Sequence, residues 1–562
     1  MTVSSPTITP RHAITGNPLL LAAALLVLVA YGVLCGSTGH DDSHINFWNA
    51  YTLLEFGSME NYNGERIEQT TCLLLDVLTA LLALVSPFSV VTSGYLVNLA
   101  GAIGVLWLSA RMARQQAVVL FALPALLTAL TPYFSYWAYS GMGTTLAAFS
   151  ALLFLQGLIQ HIEKNSSATA WTGAIFLATI RPEMLLIGPA FLVCFSALYR
   201  KPALLVLLLP FIAVMLWQYL YFGMWMANPV YAKSGHPGFE QVQAGIKYAS
   251  RLFRNPVAAV GVALTWLVLA IAIFKSCFPL KKNTLATACA LWLLIYGGFV
   301  IASGGDWMKE GRFWVPLVAP MWLLATSITM TGVMRFANPV FAALLLCYTP
   351  AFIQQFNGGT PLWLHQQLRS ITSDDASFFE TASREHVRDW RALQAFRKTL
   401  QLLEPETGKP LTIMSKQMGM IAYHLNRDYH GRIRVWDMAG LVENTLRSCA
   451  AINRDGYDSM GLRINYRNFF ARLPQAEKEC GLQAPDIIYD IYGWGETIPL
   501  PDFLRTQGYT IVFNQTGRVD MKPGMDITAQ EMIAVRSTLI EKSGKTLPEI
   551  QLDFNSLMKP TD

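Results

Sequence analysis

The stretch Gly39-His40-Asp41-Asp42-Ser43-His44-Ile45 follows directly on the first long apolar run of the chain, 17–36. That run is just long enough to cross a bilayer, and many similar runs follow it. An ionised carboxylate is costly inside hydrocarbon but ordinary at its edge. The two adjacent aspartates therefore mark the point where the chain leaves the membrane. We expect them to face whatever the protein handles.

The composition is that of a membrane protein. Of the 562 residues, 53% are hydrophobic and only 14% are charged, whereas soluble chains carry about 25% charged residues. The fold class predicted is a polytopic α-helical membrane protein with a soluble part attached. The net charge of +5 is small for this length and does not indicate a nucleic-acid partner.

Eight cysteines are too few and too scattered for a disulfide scaffold or a zinc site. Cys449 and Cys480 are the only two in the polar C-terminal part. They could pair if that part is extracytoplasmic, but only the folded geometry decides.

Apolar runs that could span a bilayer recur along the first 355 residues. They are 17–36, 89–110, 116–131, 144–160, 168–180, 184–199, 202–222, 256–274, 285–303, 313–331 and 337–354. Basic residues favour the cytoplasmic side of short loops, which places the clusters at Arg111, His161, Arg200, Lys275 and Arg335 inside. The other loops, and everything after 355, then lie outside. This arrangement has about eleven spans and a cytoplasmic N-terminus.

A further apolar run, 70–86, does not fit this arrangement as a span. The charges of the loops are consistent only if 70–110 crosses the membrane once. We therefore expect 70–86 to lie along the external interface or to re-enter, and 89–110 to span. The alternative is that 70–86 also spans and that Arg111 breaks the charge rule.

The first external loop, 37–69, carries apolar and aromatic residues at helical spacing. They are Ile45, Trp48, Tyr51 and Leu54. This spacing predicts an amphipathic helix over 44–57 that lies on the bilayer. Turns are expected at Gly57 and at Asn61–Gly64.

The composition changes to that of a soluble domain after Phe356-Asn357-Gly358-Gly359. Helices are predicted at 375–403, 443–451 and 527–542, and strands at 411–414, 432–437, 486–491 and 509–513. Strands that alternate with helices predict a small α/β domain. The expected domains are thus a transmembrane part, 1–355, and an extracytoplasmic part, 356–562.

Charged residues are concentrated in the loops placed outside the membrane. They are Asp41, Asp42, Arg66, Glu68, Arg181, Glu183, Lys233, Asp306 and Arg312, with Tyr231 beside Lys233. Such a set predicts a site for a polar, anionic substrate at one membrane face. A carboxylate can accept the proton of a hydroxyl, and a lysine or arginine can neutralise a leaving phosphate. Asp41 and Asp42 could instead hold a divalent cation such as Mg²⁺ or Ca²⁺.

Each of these features also has a purely structural interpretation. An aspartate pair before a helix is an N-cap signal by itself. Arg181 and Glu183 could form an ion pair in a tight loop, and Lys233 could anchor its loop at the interface. The segment 306–312 could be a solvated hairpin between two helices.

Several short motifs follow the aspartate pair in a fixed order. They are Gly64-Glu65-Arg66-Ile67-Glu68-Gln69-Thr70-Thr71, Arg181-Pro182-Glu183, Ala227-Asn228-Pro229-Val230-Tyr231-Ala232-Lys233, Gly304–Phe313, Gly419–Tyr423 and Asp437–Leu441. This ordered set resembles the GT-C glycosyltransferases. It is most similar to the polyprenyl-phosphate-dependent arabinofuranosyltransferases of the mycobacterial terminal β-(1→2) type and to the enzyme that arabinosylates type IV pilin. The resemblance covers about residues 37–450 and is less specific for the sugar than for the family.

The resemblance implies a GT-C fold and an inner-membrane glycosyltransferase of the EC 2.4 class with a periplasmic C-terminal domain. A sugar, D-arabinofuranose first, would pass from a polyprenyl phosphate to an exported glycan or pilin. Asp41 would be the first choice for the catalytic acid or base, and Asp42 the second. Lys233, Arg312 and Arg66 would hold the donor phosphate. The substrate contacts would be Glu68, Tyr231, Asp306, Arg181 and Glu183.

Two departures from the family pattern stand out. The family often has an acid in a Gly-Leu/Met-Glu-Thr motif, where this chain has Gly143. The residues Asn228 and Pro229 are in swapped order in the loop assigned to the donor.

Three other functions compete with this interpretation. One is a GT-C enzyme that uses another lipid-linked sugar, such as mannose or aminoarabinose. Another is a transporter or flippase with an external binding domain, but transporters place ionisable residues within spans, and here Asp76 is the only acid well inside an apolar run. The last is a receptor or scaffold on an inert anchor, for which about eleven spans are more than needed.

Overall fold

The computed structural model describes most of the chain. The described residues are 10–35, 41–115, 120–233, 238–250, 283–306, 308, 311–329, 384–403, 409–458, 461–462, 465–492, 500–522 and 525–544. The predicted spans 256–274 and 337–354 lie outside them.

Residue contacts divide the chain into two compact units. The first unit is Met1–Thr38, Tyr95–Met215 and Gly238–Leu364, and the second is Gly39–Gly94, Leu216–Pro237 and His365–Asp562. The second unit therefore groups the segment 39–94 with the C-terminal segment. The predicted domain boundary after residue 355 stays a prediction.

Helices dominate the described residues. In chain order they are α1 (Pro10–Cys35), α2 (Ser43–Phe56), α3 (Leu73–Val85), α4 (Val90–Gln115), α5 (Leu123–Leu130), α6 (Pro132–Ala138), α7 (Thr144–Lys164), α8 (Ala168–Ile180), α9 (Met184–Tyr199), α10 (Leu209–Phe222), α11 (Asn228–Lys233), α12 (Phe239–Ser250), α13 (Thr284–Ala302), α14 (Val315–Thr329), α15 (Arg384–Leu403), α16 (Met420–Asp428), α17 (Thr445–Ser448), α18 (Tyr466–Cys480), α19 (Leu500–Thr506) and α20 (Ser537–Lys542). Short 3₁₀ segments are Pro202–Leu208, Arg312–Trp314 and Asn453–Asp455.

Five stretches in the described part of the chain are helical, long and apolar enough to cross a membrane. They are Asn17–Leu34, Val90–Gln115, Thr144–Lys164, Pro202–Phe222 and Thr284–Ala302. Each coincides with a run predicted to span. The chain is therefore a helical membrane protein.

Glycines allow close helix packing in the first unit. A Cβ at Gly157 of α7 would overlap the backbone of Ala170 in α8, and one at Gly173 of α8 would overlap the backbone of Phe154 in α7. A Cβ at Gly101 of α4 would likewise meet the backbone of α7. Small residues at such crossings are typical of membrane helices, where association depends on van der Waals contact.

The predicted span 116–131 is shorter and broken in the structure. Residues 116–119 lie outside the described part, and α5 has only eight residues, a length of about 12 Å. Thr131 is extended, with φ −73° and ψ 111°, and α6 begins at Pro132. The residue before a proline avoids the helical conformation, which explains why the two helices do not join.

The helix α3 has 13 residues, which is a length of about 20 Å. The hydrocarbon core of a bilayer is about 30 Å thick. This agrees with the prediction that 70–86 does not span as a straight helix. The following run forms α4, which has 26 residues.

The helix predicted over 44–57 is confirmed as α2, but its predicted surface position is wrong. Every residue from Ser43 to Ala50 is buried, so the helix has no solvent or lipid face along its first two turns. It packs against α3 and α16 within the second unit. The regularly spaced aromatic residues lie on one packed face of α2, and the other faces of its first two turns are buried as well.

A five-stranded sheet forms the centre of the polar C-terminal segment. Its strands are β1 (Leu411–Ser415), β2 (Ile433–Asp437), β5 (Ile487–Tyr492), β6 (Tyr509–Lys522) and β7 (Met525–Arg536). Their order is β2-β1-β5-β7-β6. The first three are parallel, and β7 is antiparallel to both of its neighbours. The strands β3 (Tyr457–Asp458) and β4 (Gly461–Leu462) form a separate pair.

Both faces of the five-stranded sheet are covered. Ile413 and Ile487 belong to a cluster with residues of α15 and α16. Met414 and Ile488 belong to another, with residues of α17, α18 and α19. Consecutive strand residues point to opposite faces, so these two clusters form the two sides of an α/β/α sandwich.

The four predicted strands are present, but the helix predicted over 527–542 is wrong for most of its length. Residues 525–536 form β7, and only Ser537–Lys542 are helical. Because β7 pairs on both edges and is covered on both faces, its buried run Met532–Val535 carries no alternation of polar residues. Of the predicted helix 443–451, only Thr445–Ser448 is helical.

Cys449 and Cys480 form a disulfide, with their Cα atoms 5.8 Å apart. It joins the residue after α17 to the end of α18, on the same side of the sheet. The pairing that the sequence left open is therefore made.

We expect Cys449→Ser to lower the free energy of unfolding of the C-terminal segment. The bond closes a loop with a sequence separation of 31, and a loop of this size corresponds to about 3 to 4 kcal/mol. Thermal or denaturant unfolding of the full chain in detergent measures the loss. Cys194→Ser, at an exposed free cysteine, is the control. Equal stability of the two variants would contradict the expectation.

Candidate functional site

Asp41 binds the N-terminus of a helix that is distant in sequence. One carboxylate oxygen, Oδ2, accepts from the backbone N–H of Gly419 at 2.8 Å, and Oδ1 accepts from that of Met420 at 2.7 Å. These residues begin α16, whose first N–H groups have no partner within the helix. A carboxylate there is also favoured by the helix dipole. Asp41, only 7% exposed, is thus a cap for α16.

Gly419 is required by this contact. A Cβ at this position would overlap the backbone carbonyl and the side chain of Asp41. The hydroxyl of Tyr62 also donates to the carbonyl of Gly419 at 3.3 Å. The Gly419–Tyr423 motif is therefore a docking point for Asp41 and Tyr62.

Asp42 occupies a different environment from Asp41. It is half-buried, and its side chain does not cap α2, whose N-cap position it holds. Burial raises the pKa of Tyr62 well above its usual range, and the charges of Asp41 and then, more weakly, of Tyr423, Asp437 and Asp42 add to this rise. Both aspartates thus influence Tyr62, but only Asp41 binds the start of α16.

The turn at 61–64 attaches the first loop to the sheet. Asn63 donates from Nδ2 to the carbonyl of Val435 at 3.0 Å and accepts from its N–H at 2.7 Å. This amide thus pairs with the outer edge of β2 as a neighbouring strand would. Asn61 donates to the carbonyl of Val442 at 3.1 Å. The predicted turn is present, since the N–H of Gly64 donates to the carbonyl of Asn61.

The Asp437–Leu441 motif closes a loop around one carboxylate. Asp437 accepts from the N–H groups of Ala439, Leu441 and Val442, at 2.6–3.0 Å. Burial raises the pKa of Asp437 to about 6, although these N–H groups lower it, and the charge of Asp42 adds to the rise. The motif is therefore a structural loop that has a carboxylate close to Asp42.

The loop assigned to the donor is held by Asn228. Its Nδ2 donates to the carbonyls of Gly440 and Leu441, at 3.0 and 2.8 Å. Its Oδ1 accepts from Arg447, and its N–H donates to the carbonyl of Glu68 at 2.9 Å. Asn228 thus places α11 against two of the motifs.

Two predicted site residues lie further along α11. Tyr231 is 42% exposed, and the guanidinium carbon of Arg447 lies 6.0 Å from its ring centroid. Lys233 is half-buried at the end of the helix. Both stay predictions as substrate contacts.

Glu68 and Arg66 differ in burial although they are two residues apart. Glu68 is 3% exposed and accepts from Gln218 Nε2 at 2.8 Å. Burial, and then the charge of Asp76, raise the pKa of Glu68 to about 8. Arg66 is exposed, and its guanidinium carbon lies 5.3 Å from the ring centroid of Tyr221. Arg66 is thus the more accessible of the two.

The first unit contains the remaining predicted site residues as two buried ion pairs. Arg181 pairs with Glu183, and Arg312 Nε lies 2.8 Å from Asp306 Oδ2. The guanidinium carbons of both arginines lie 5.4 Å from the ring centroid of Phe313. The structure therefore brings together two motifs that are more than a hundred residues apart in sequence. The burial of the Asp306 and Arg312 side chains does not agree with a solvated position for these two residues.

Gly143 shows why an acid is absent at its position. Its φ is +68°, and Gly141 has φ +65°. Glycine adopts this left-handed region without steric cost, unlike a residue with a side chain. The turn before α7 therefore favours glycine at this position.

A cation between Asp41 and Asp42 does not fit the geometry. Both oxygens of Asp41 accept backbone N–H groups at a helix N-terminus, which is a positive environment. Within the described ranges, no group of three or more histidine, cysteine or acidic residues could hold a metal ion.

Sequence reasoning missed the residues that join the motifs to each other. They are Asn61, Tyr62, Asn63, Asn228 and Arg447. Asparagines in turns indicate local backbone bonding, and their partners here lie hundreds of residues away. The one feature of the sequence that indicates these contacts is that the motifs of residues 37–71 and of the C-terminal segment occur in the same chain.

We expect Gly419→Ala to destabilise the second unit, because the added methyl group would displace Asp41 from α16. A forced displacement in a packed region costs about 1–3 kcal/mol. The thermal unfolding midpoint in detergent measures it. Gly298→Ala is the matched control, since a Cβ at Gly298 meets nothing within 4 Å. Equal midpoints for the two variants would contradict the close contact at Gly419.

Comparison with known proteins identifies the fold. No protein-family model matches the chain, and no curated protein does. The structure is similar to that of ArnT from Cupriavidus metallidurans in the apo state, with a TM-score of 0.53, 13% identity, and coverage of 94% of this chain and 99% of that chain. ArnT from the same organism bound to undecaprenyl phosphate gives a TM-score of 0.47, 12% identity, and coverage of 92% and 97%. The first likeness shows that this chain has the fold of ArnT.

Proposed function

We propose that the protein is a glycosyltransferase that moves a sugar from a polyprenyl phosphate to an exported acceptor at the outer face of the membrane. The ordered motifs between residues 37 and 450 support this, as does a fold shared with ArnT over 94% of the chain. The observation that supports the proposal most directly is the difference in hydrogen bonding between Asp41 and Asp42. One aspartate is committed to a helix, and the other is not.

We assign the catalytic base to Asp42 and not to Asp41, which the sequence ranked first. Both oxygens of Asp41 accept strong hydrogen bonds from backbone N–H groups, which lower the basicity of a carboxylate. Asp42 is more exposed and has no such bond at the start of α2. A base must reach the proton that it accepts, and Asp42 meets this condition better.

The proposed reaction is a displacement at the anomeric carbon of the donor sugar. An acceptor hydroxyl oxygen bonds to that carbon while the bond from carbon to phosphate oxygen breaks. Polyprenyl phosphate leaves with the electron pair of the broken bond, and Asp42 takes the hydroxyl proton. We expect cationic side chains to offset the charge that develops on the phosphate.

The candidates for the phosphate are Lys233, Arg66 and Arg312. Both Arg66, which is exposed, and Lys233, which is half-buried, belong to the second unit. Arg312 is buried and paired with Asp306, so we expect it to act through an ordered ion pair and not as an isolated cation. Glu68, Tyr231, Arg181 and Glu183 stay proposed substrate contacts.

We propose D-arabinofuranose as the sugar and a glycan or pilin as the acceptor, from the motif resemblance alone. Mannose and aminoarabinose are the alternative donors. The disulfide between Cys449 and Cys480 supports an oxidising compartment for the C-terminal segment. This agrees with a periplasmic C-terminal domain, which we propose to position the acceptor.

A transporter has less support. Asp76 is the only acid well inside an apolar run, but α3 is too short to span and Asp76 bonds to Thr70 at 2.7 Å. Transporters place such residues at broken helices in the middle of the membrane. An assay for donor cleavage separates the two functions.

The test is the release of polyprenyl phosphate from polyprenyl-phosphate-arabinofuranose by purified protein in detergent. We expect Asp42→Asn to lower the rate by about 10² to 10⁴, the usual contribution of a general base, with an unchanged unfolding midpoint. Asp41→Asn should lower the midpoint, because an amide cannot accept two N–H groups as a carboxylate does. Asp502→Asn, at an exposed ion pair, is the control.

Full activity of Asp42→Asn would contradict its role as the base. No release from the arabinofuranose donor, with mannose and aminoarabinose donors also inactive, would contradict the proposed reaction. Release from one of the latter donors alone would correct only the sugar.

A further inference from the structure

A cluster of buried oxygen atoms surrounds Asp76 of α3. Asp76 is 0% exposed, and its Oδ2 accepts from Thr70 Oγ1 at 2.7 Å. Asn49 Nδ2 lies 3.4 Å from the same oxygen and 3.4 Å from Thr70 Oγ1. Thr79 is three residues further along α3, so it lies on the same helix face as Asp76. All of these side chains belong to the second unit.

Three oxygens of this cluster have no hydrogen-bond partner within the part of the chain that the structure describes. They are Asp76 Oδ1, Asn49 Oδ1 and Thr79 Oγ1. Their residues are at most 1% exposed. Most buried polar atoms in native proteins are satisfied, and each unsatisfied one costs about 1–3 kcal/mol. Asn49 contacts Asp76, and Thr79 shares its helix face, so three unsatisfied oxygens on these residues indicate a ligand that accepts electron pairs from oxygen.

The uncompensated charge of two buried acids, Asp76 and Glu68, also indicates a bound cation. Glu68 is a second buried carboxyl group, close enough for the charge of Asp76 to raise its pKa. Among the described residues, the partners of these two acids are Gln218, Thr70 and Asn49, and none is cationic. Buried carboxylates need a compensating charge or a proton. A cation would provide that charge and also bind the three oxygens.

We propose that Asp76, Asn49, Thr79 and Thr70 bind a Ca²⁺ ion, with Glu68 balancing its second charge. Carboxylate, amide and hydroxyl oxygens are hard ligands, which disfavours zinc and copper. Ca²⁺ accepts irregular cages of oxygen atoms, whereas Mg²⁺ keeps several waters and needs a regular octahedron. This site shares no residue with the aspartate pair, and the proposal does not rest on the proposed reaction.

Such an ion would order the segment between the first loop and α3. The carbonyl of Glu68 accepts the N–H of Asn228, so this segment also supports the start of α11. We therefore expect Ca²⁺ to act on the stability of the second unit. Its effect should be visible without any substrate.

The test measures bound metal and thermal stability on the full chain in detergent. Protein purified without chelator should contain about one Ca²⁺ per chain by elemental analysis. After EGTA treatment, Ca²⁺ should raise the unfolding midpoint by a few degrees, as a ligand of the folded state does, and Mg²⁺ at the same concentration should raise it less. Asp76→Asn should abolish both the bound metal and the shift, and Asp502→Asn should retain them.

If Asp76→Asn does not fold, Thr79→Val provides the test of the proposed Ca²⁺ site. Valine keeps the shape of threonine and removes one oxygen. With a bound ion, the variant should need at least tenfold more Ca²⁺ for the same shift. If Thr79→Val responds to Ca²⁺ as the wild type does, or if the wild type binds no metal and does not respond, the proposal is overturned and the two acids are buried as neutral groups.

Discussion

The second unit depends on the bond between one carboxylate and one helix N-terminus. Asp41 satisfies two N–H groups of α16 that the helix itself leaves unpaired. The contact is close because residue 419 is a glycine, and no other residue fits there. A residue shortly after the first apolar run thereby holds a helix that packs on the C-terminal sheet. This single constraint explains why two distant motifs occur in the same chain.

The other contacts of the second unit reinforce that attachment. Asn63 extends the edge of β2, and Asn228 holds the loop that follows β2. Each asparagine side chain bonds to backbone groups that have no strand or helix partner there. The motifs that resembled those of glycosyltransferases are thus largely the residues that join the loops. Asp42, the residue that we propose as the base, takes no part in these contacts.

The sequence predicted what depends on local pattern. Apolar runs predicted α7, α8, α9 and α13 closely, and alternating strands and helices predicted an α/β segment. The prediction from sequence pattern was wrong where pairing with neighbouring strands determines the structure. The sequence of β7 predicts a helix, but the segment forms a strand that pairs with β5 and β6. Sequence pattern also failed for Asp41, because its partners lie 378 and 379 residues away. No spacing rule could have separated the roles of the two aspartates.

Amide hydrogen exchange of the segment around the start of α16 tests the central claim most directly. The wild type, Asp41→Asn and Asp42→Asn would be compared by mass spectrometry in detergent. The account predicts that the amides of Gly419 and Met420 lose protection in Asp41→Asn and keep it in Asp42→Asn. Unchanged protection in Asp41→Asn would contradict the account, because the carboxylate would then not hold the helix.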